Sequence, residues 1–136
     1  MNETNEIQLF GQNQNPSFSS IKAESEEDKI KLLNALENCD FLLNDVSPCE
    51  IVVKDVYVQQ YEKTTEDGDV KTKYRTILFD ADGKSYVTTS SYFFFAMSKI
   101  FNVLGTPDKW SKSYTFEIFK KTLKSGNKAL SIKVKA

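Results

Sequence analysis

Glu50-Ile51-Val52-Val53-Lys54-Asp55-Val56-Tyr57-Val58-Gln59-Gln60-Tyr61-Glu62, answered across Glu66-Asp67-Gly68-Asp69 by Val70–Asp80, is the stretch that decides the fold. Its apolar residues recur with a period of two, and an Asp-Gly pair between two such segments is a strong hairpin signal. Ile51 and Val53 have one parity and Val56 and Val58 the other, so the first strand needs an extra residue near Lys54-Asp55. A bulge there keeps all four side chains on one side and lets a long strand curl. A two-residue turn at Asp67-Gly68 sets Val58 against Ile77 and Val56 against Phe79, an apolar interior. Tyr57, Gln59, Tyr61, Lys63, Tyr74 and Thr76 then take the opposite face, with Tyr61 directly across from Tyr74. Leu78 falls on the tyrosine face in this register. That position asks either for a longer turn or for cover from another element.

Asp82-Gly83 marks a second tight turn, and Ser85–Thr89 reads as a third strand. Ser90-Ser91 caps a segment, Tyr92–Leu104, whose Phe94, Met97, Ile100, Phe101 and Leu104 share a helical face. Gly105 and Pro107 stop it. Ser113–Lys121 alternates again, and Lys124-Ser125-Gly126-Asn127 turns into a last strand, Ala129–Lys135. The order strand, strand, strand, helix, strand, strand is that of the OB-fold, a mainly β, five-stranded, partly open barrel. An open α+β sheet built from the same elements is the competing architecture.

Upstream, Ser25-Glu26-Glu27-Asp28 reads as a capped helix start, and Ile30, Leu33 and Leu36 carry a helix to about Cys39. Ser47-Pro48 ends the connection that follows. Residues 1–20, rich in Asn, Gln and Ser and interrupted by Asn15-Pro16, read as a disordered polar arm. The expectation is one OB-fold-like domain over 21–136, including a helix at about 26–39, behind that arm.

At 136 residues the chain suits one domain with a sizeable core. It contains no His, which removes the usual general base near neutral pH, the Ser-His-Asp and Cys-His systems and the His-dependent zinc sites. Cys39 and Cys49 cannot supply four thiolates, and nothing demands a bridge between them. No metal or cofactor is expected, and no enzyme. Residues 1–20 hold no Lys or Arg, so no secretory signal is read there. The longest apolar run, Tyr92–Met97, is far too short for a membrane span. A cytoplasmic protein with no membrane contact is expected.

The net charge of −1 hides a strong asymmetry. Residues 1–50 carry three lysines against ten acids, a net −7, and residues 51–136 carry 15 bases against nine acids, a net +6. Lys109–Ala136 alone holds eight lysines and one acid, Glu117. A basic half points to a polyanionic partner, although lysines also blunt strand edges. Flat rings beside positive charge are what a single-stranded nucleic acid needs, since bases stack on rings and phosphates are neutralised by Lys and Arg.

The candidate ligand-facing residues are therefore Tyr57, Tyr61, Lys63, Lys73, Tyr74 and Arg75 on the first hairpin. On the last hairpin, a three-residue loop at Ser125–Asn127 sets Ile118 against Val134 and leaves Phe119, Lys121, Lys133 and Lys135 facing outward, with Lys124 and Lys128 at the loop. OB-fold ligand clefts are flanked by the loops joining strands one to two and four to five, here 64–69 and 122–127. Trp110, between Lys109 and Lys112, joins the candidates, with a core position as the alternative. Tyr61 and Tyr74 also have a plain reading as a cross-strand pair that stabilises the sheet. Asp80-Ala81-Asp82-Gly83 opens like a calcium loop but lacks the later Glu, and a hairpin turn explains it better. Tyr92-Phe93-Phe94-Phe95 reads as helix-to-barrel packing.

From Glu50 onward the chain resembles the small bacteriophage-encoded single-stranded DNA-binding proteins of OB-fold type. The resemblance is carried by Val56-Tyr57-Val58-Gln59-Gln60-Tyr61, by Phe101-Asn102-Val103-Leu104-Gly105, and by Lys120-Lys121-Thr122-Leu123-Lys124-Ser125-Gly126-Asn127-Lys128-Ala129-Leu130-Ser131-Ile132. It implies a sequence-tolerant protein that coats unwound DNA during replication or recombination, with single-stranded DNA (RNA also possible) and replication proteins as partners. Many cellular members end in an acidic tail that docks such partners, whereas this sequence ends Lys133-Val134-Lys135-Ala136, so recruitment by a tail of that kind is not expected. The competing function is a protein-interaction or inhibitor domain whose basic face meets an acidic protein. Oligomeric state is not legible in the sequence.

Overall fold

The computed structural model describes residues 16–21 and 24–135. The elements are β1 (Pro16–Ser19), α1 (Glu26–Glu37), β2 (Phe41–Leu42), the single-turn α2 (Leu43–Val46), β3 (Cys49–Thr64), β4 (Val70–Asp80), β5 (Ser85–Thr88), α3 (Ser91–Leu104), a 3-10 turn (Pro107–Lys109), β6 (Tyr114–Thr122) and β7 (Lys128–Lys135). The strands form one curled sheet, a half-barrel, in the order β2-β5-β4-β3-β6-β7, with β1 paired to β3 outside that path.

β3 organises the sheet. Its first five residues pair with β6 and the rest with β4, and the register shifts between Val53 and Asp55. The bulge has the effect that parity demanded. Ile51 and Val53 before it, and Val56 and Val58 after it, all enter one core with Leu78, Phe93, Met97, Phe116, Ile118 and Leu130. α3 supplies Phe93 and Met97 to that core. Ser90 caps α3 by accepting a hydrogen bond from the Phe93 N–H at 3.1 Å, and Gly105 ends it at φ +82°.

The hairpin registers differ from the two-residue turns expected. Val56 pairs with Leu78, Tyr57 with Ile77 and Val58 with Thr76, one residue away from the expected pairing. Gly68 N–H bonds back to the Thr65 carbonyl at 2.9 Å, and Gly83 N–H to the Asp80 carbonyl at 3.0 Å. Both turns are therefore three-residue loops with glycine at positive φ in last place, +85° and +86°. The extra residue moves Leu78 into the core and sends Ile77 and Phe79 to the other face. In the last hairpin the loop sits one residue early, with Gly126 N–H on the Leu123 carbonyl, so Ile118 meets Ile132 rather than Val134. That error spans two residues and preserves which side chains share a face.

α1 covers the second face of the sheet. Tyr57, Ile77, Phe79 and Val87 form a separate core with Ala35, flanked by Leu32, Leu36 and Cys39. The helix start is as expected, with the Ser25 hydroxyl accepting from the Asp28 N–H at 3.0 Å. Its buried face is not. Ile30 and Leu33, read as packing residues, are 51% and 58% exposed, because the i, i+3, i+4, i+7 stripe that meets the sheet starts at Leu32.

The polar arm expected over 1–20 is corrected at its end. Pro16–Ser19 pair with β3, and the Ser20 hydroxyl donates to Asp55 at 3.0 Å and accepts from the Val56 N–H at 2.9 Å, holding the bulge. Residues 1–15 lie outside the described residues. The stretch read as a plain connection before Pro48 contains β2, parallel to β5, and α2, whose Leu43 is fully buried. Both cysteines are free.

Candidate nucleic-acid interface

Beyond the edge of α1 the outer face of the β3–β4 hairpin is open. It carries Tyr61 and Lys63 from β3 across from Lys73 and Lys71 from β4, while Gln59, across from Arg75, is buried. Tyr61 thus pairs with Lys73, not with Tyr74. The one-residue change in register separates the two tyrosines, and the reading of them as a cross-strand pair falls with it. A half-exposed ring remains, bracketed by ammonium groups on a flat strand surface. A base can stack on such a ring while its phosphates meet the lysines. The exposed hairpin tip, with Glu66, Asp67 and Asp69, repels phosphate and confines that contact to the lysine flanks.

Two residues expected on this face are not free to contact a ligand as the sequence suggested. Tyr57 is only 7% exposed because α1 lies over it, and burial pushes its phenol pKa up, partly offset by the Arg75 charge. Arg75 is half-buried and donates from Nη2 to the Leu36 carbonyl at 2.7 Å, which satisfies an orphan carbonyl in the last turn of α1.

Tyr74 occupies the other face, opposite Gln60. Its ring stacks on Phe94 at 4.0 Å and 6°, and Phe95 meets it edge-on at 6.1 Å. Tyr74 and Phe94 are half-buried and pack against the core, as the packing reading expected, and Phe95, 55% exposed, gives the trio an open edge. A signal for it was present. Four consecutive aromatic residues, Tyr92–Phe95, sweep about 300° around a helix, and a one-sided core cannot take them all. Phe93 goes to the core, and Phe94 and Phe95 face Tyr74.

Trp110 takes the core alternative. Its indole N–H donates to the Gly105 carbonyl at 2.8 Å, and its ring packs edge-on against Tyr114 and Phe116. These contacts place the ring against the core rather than on an exposed linker.

On the last hairpin, Lys121, Lys124, Lys128 and Lys133 are exposed and Phe119 is half-buried. Glu117, Phe119 and Lys121 share a face with Lys133, Ser131 and Ala129. Lys135 pairs with Glu50 at 2.8 Å. β6 leaves β3 at Cys49, whereas the first hairpin closes beyond Thr64. The two basic patches therefore stand at opposite ends of a 16-residue strand, about 50 Å of extended chain before its bend is counted.

Among the described residues no cluster of three or more His, Cys, Asp or Glu side chains is arranged to hold a metal ion. Asp80 spends its carboxylate on the turn, accepting from the Asp82 and Lys84 N–H groups and the Tyr86 hydroxyl, each at 2.9 Å. No helix among the described residues is long and apolar enough to cross a membrane.

No curated protein and no solved structure matches the chain. A family model does. The model for the phage single-stranded DNA-binding protein of the Phi29 type matches residues 11–135, which takes in both hairpins, α1 and α3. On that match the chain belongs to the family of phage single-stranded DNA-binding proteins, and single-stranded DNA is its partner.

Proposed function

We propose that this protein coats and protects unwound DNA in phage-type replication or recombination in the host cytoplasm, without preference for sequence and without catalysis. Its core acts as an OB-fold. What supports the barrel reading is the strand order β5-β4-β3-β6-β7 with α3 between the third and fourth of the five, which follows the OB path up to the missing closure of β5 on β7.

The observation that carries the binding reading is the β3–β4 register, which sets Tyr61 among Lys63, Lys71 and Lys73. Tyr74, stacked on Phe94 and met edge-on by Phe95, offers bases a second platform. Phe119, Lys121, Lys124, Lys128 and Lys133 hold the strand at the other end of β3. Arg75 adds charge from the edge of α1. Every base has a π-face and every nucleotide a phosphate, so this set reads no sequence.

A gel-shift series with single-stranded DNA, duplex DNA and RNA of equal length tests the reading. Single strands of unrelated sequence should shift at similar protein concentrations, and duplex only at much higher ones. Equal retardation of duplex and single strand would overturn it.

A further inference from the structure

An open apolar groove lies away from the proposed DNA face. It encloses about 650 Å³ between the end of α3 and the start of β6. Ile100, Val103 and Leu104 form one wall, and Tyr114 and Val134 the other. Val103 is 83% exposed, more than any other large apolar side chain among the described residues. Lys99 and Lys112 stand around this apolar floor, together with Lys135, whose ammonium is paired with Glu50 at 2.8 Å.

We propose that this groove docks an acidic, apolar peptide segment of a partner protein. Charge complementarity selects the acid. The Lys99 and Lys112 ammonium groups beside an apolar slot favour carboxylates at the rim and aliphatic side chains on the floor. A DNA base fits less well. Tyr114 is the one ring in the lining, it is already engaged edge-on by Trp110 at 4.9 Å, and Lys112 stands over it at 5.4 Å. The remaining walls are aliphatic and offer no flat face for stacking.

The position allows both ligands at once. Tyr114 pairs with Val53, eight residues along β3 from Tyr61, about 26 Å of strand. A protein on DNA would keep the groove free to recruit a partner. This inference does not rest on the DNA reading, since it concerns different residues.

The test uses the full chain and a fluorescein-labelled twelve-residue peptide alternating Glu and Leu, with a Lys-Leu peptide as control. Anisotropy should show saturable binding of the acidic peptide that weakens as salt rises. Val103→Asp, at an exposed position that does not threaten folding, should weaken it by about tenfold or more, as should Lys99→Glu combined with Lys112→Glu. Oligo(dT) should not displace the peptide. The proposal is overturned by absence of saturable binding, by equal binding of the Lys-Leu peptide, or by unchanged affinity in folded Val103→Asp. Displacement by oligo(dT) also overturns it, because the groove would then belong to the DNA.

Discussion

Tyr86 shows how one side chain ties a turn to a strand. Its hydroxyl donates to Asp80, whose carboxylate also closes the β4–β5 loop, and burial, that bond and the Asp80 charge together raise its pKa from 10.0 to about 12. The folded state holds the phenolic proton more tightly than the unfolded chain. The stabilisation is complete below the unfolded value near pH 10 and is lost as pH climbs toward the folded one. Urea unfolding at about pH 9 and about pH 11 should therefore show a drop in stability that Tyr86→Phe reduces. An identical drop in the variant would assign the loss to other groups. At this scale the sequence was partly legible. The caps Ser25 and Ser90, the stop at Gly105 and the bulge at Val53–Asp55 follow from side-chain chemistry and parity, which are local. The partner of Tyr61 does not. It depends on whether Asp67-Gly68 is a two- or a three-residue turn, and an Asp-Gly pair suits both.

α1 is the element whose role the sequence misjudged. Its Ser25 cap and acidic first turn were plain, but the stripe read as buried, Ile30, Leu33 and Leu36, is not the one the structure buries, Leu32, Ala35 and Leu36. Only the sheet face beneath it chooses between them. Substitution separates the two stripes. Leu33→Ser should change stability by no more than about 0.5 kcal/mol, whereas Leu36→Ala should cost about 1–2 kcal/mol, since Leu36 is partly buried against Tyr57, Ile77 and Phe79. Denaturant midpoints of the two variants decide it. Comparable losses would mean that α1 packs through its other stripe. β1 and β2 were illegible for a different reason. Four and two residues carry too little periodicity to read, and both exist by adding to an edge that longer strands provide.

Across the whole molecule the charge asymmetry has a structural counterpart. α1, with its acidic first turn, lies over one face of the sheet, and lysines collect on two hairpins at opposite ends of β3. If both patches hold one strand of DNA, replacing Lys121, Lys124 and Lys128 by Gln should weaken binding to every sequence. It should also flatten the plot of log K against log salt by about 0.7 for each phosphate that is no longer neutralised. An unchanged slope would leave those lysines as solvation of the loop. The mainly β class and the element order were legible at this scale because both survive small errors in register. The stacking of Tyr74 on Phe94 was not, because the two rings come from different elements.

The most direct test is the affinity of folded Tyr61→Ala for oligo(dT) beside that of the wild type, at one salt concentration. Tyr61 is the half-exposed ring set among Lys63, Lys71 and Lys73, and its removal leaves both cores intact. The account predicts weaker binding by about 1–3 kcal/mol, roughly 5- to 150-fold, with circular dichroism and unfolding midpoint unchanged. Wild-type affinity in a folded Tyr61→Ala protein would contradict it and move the DNA off this face.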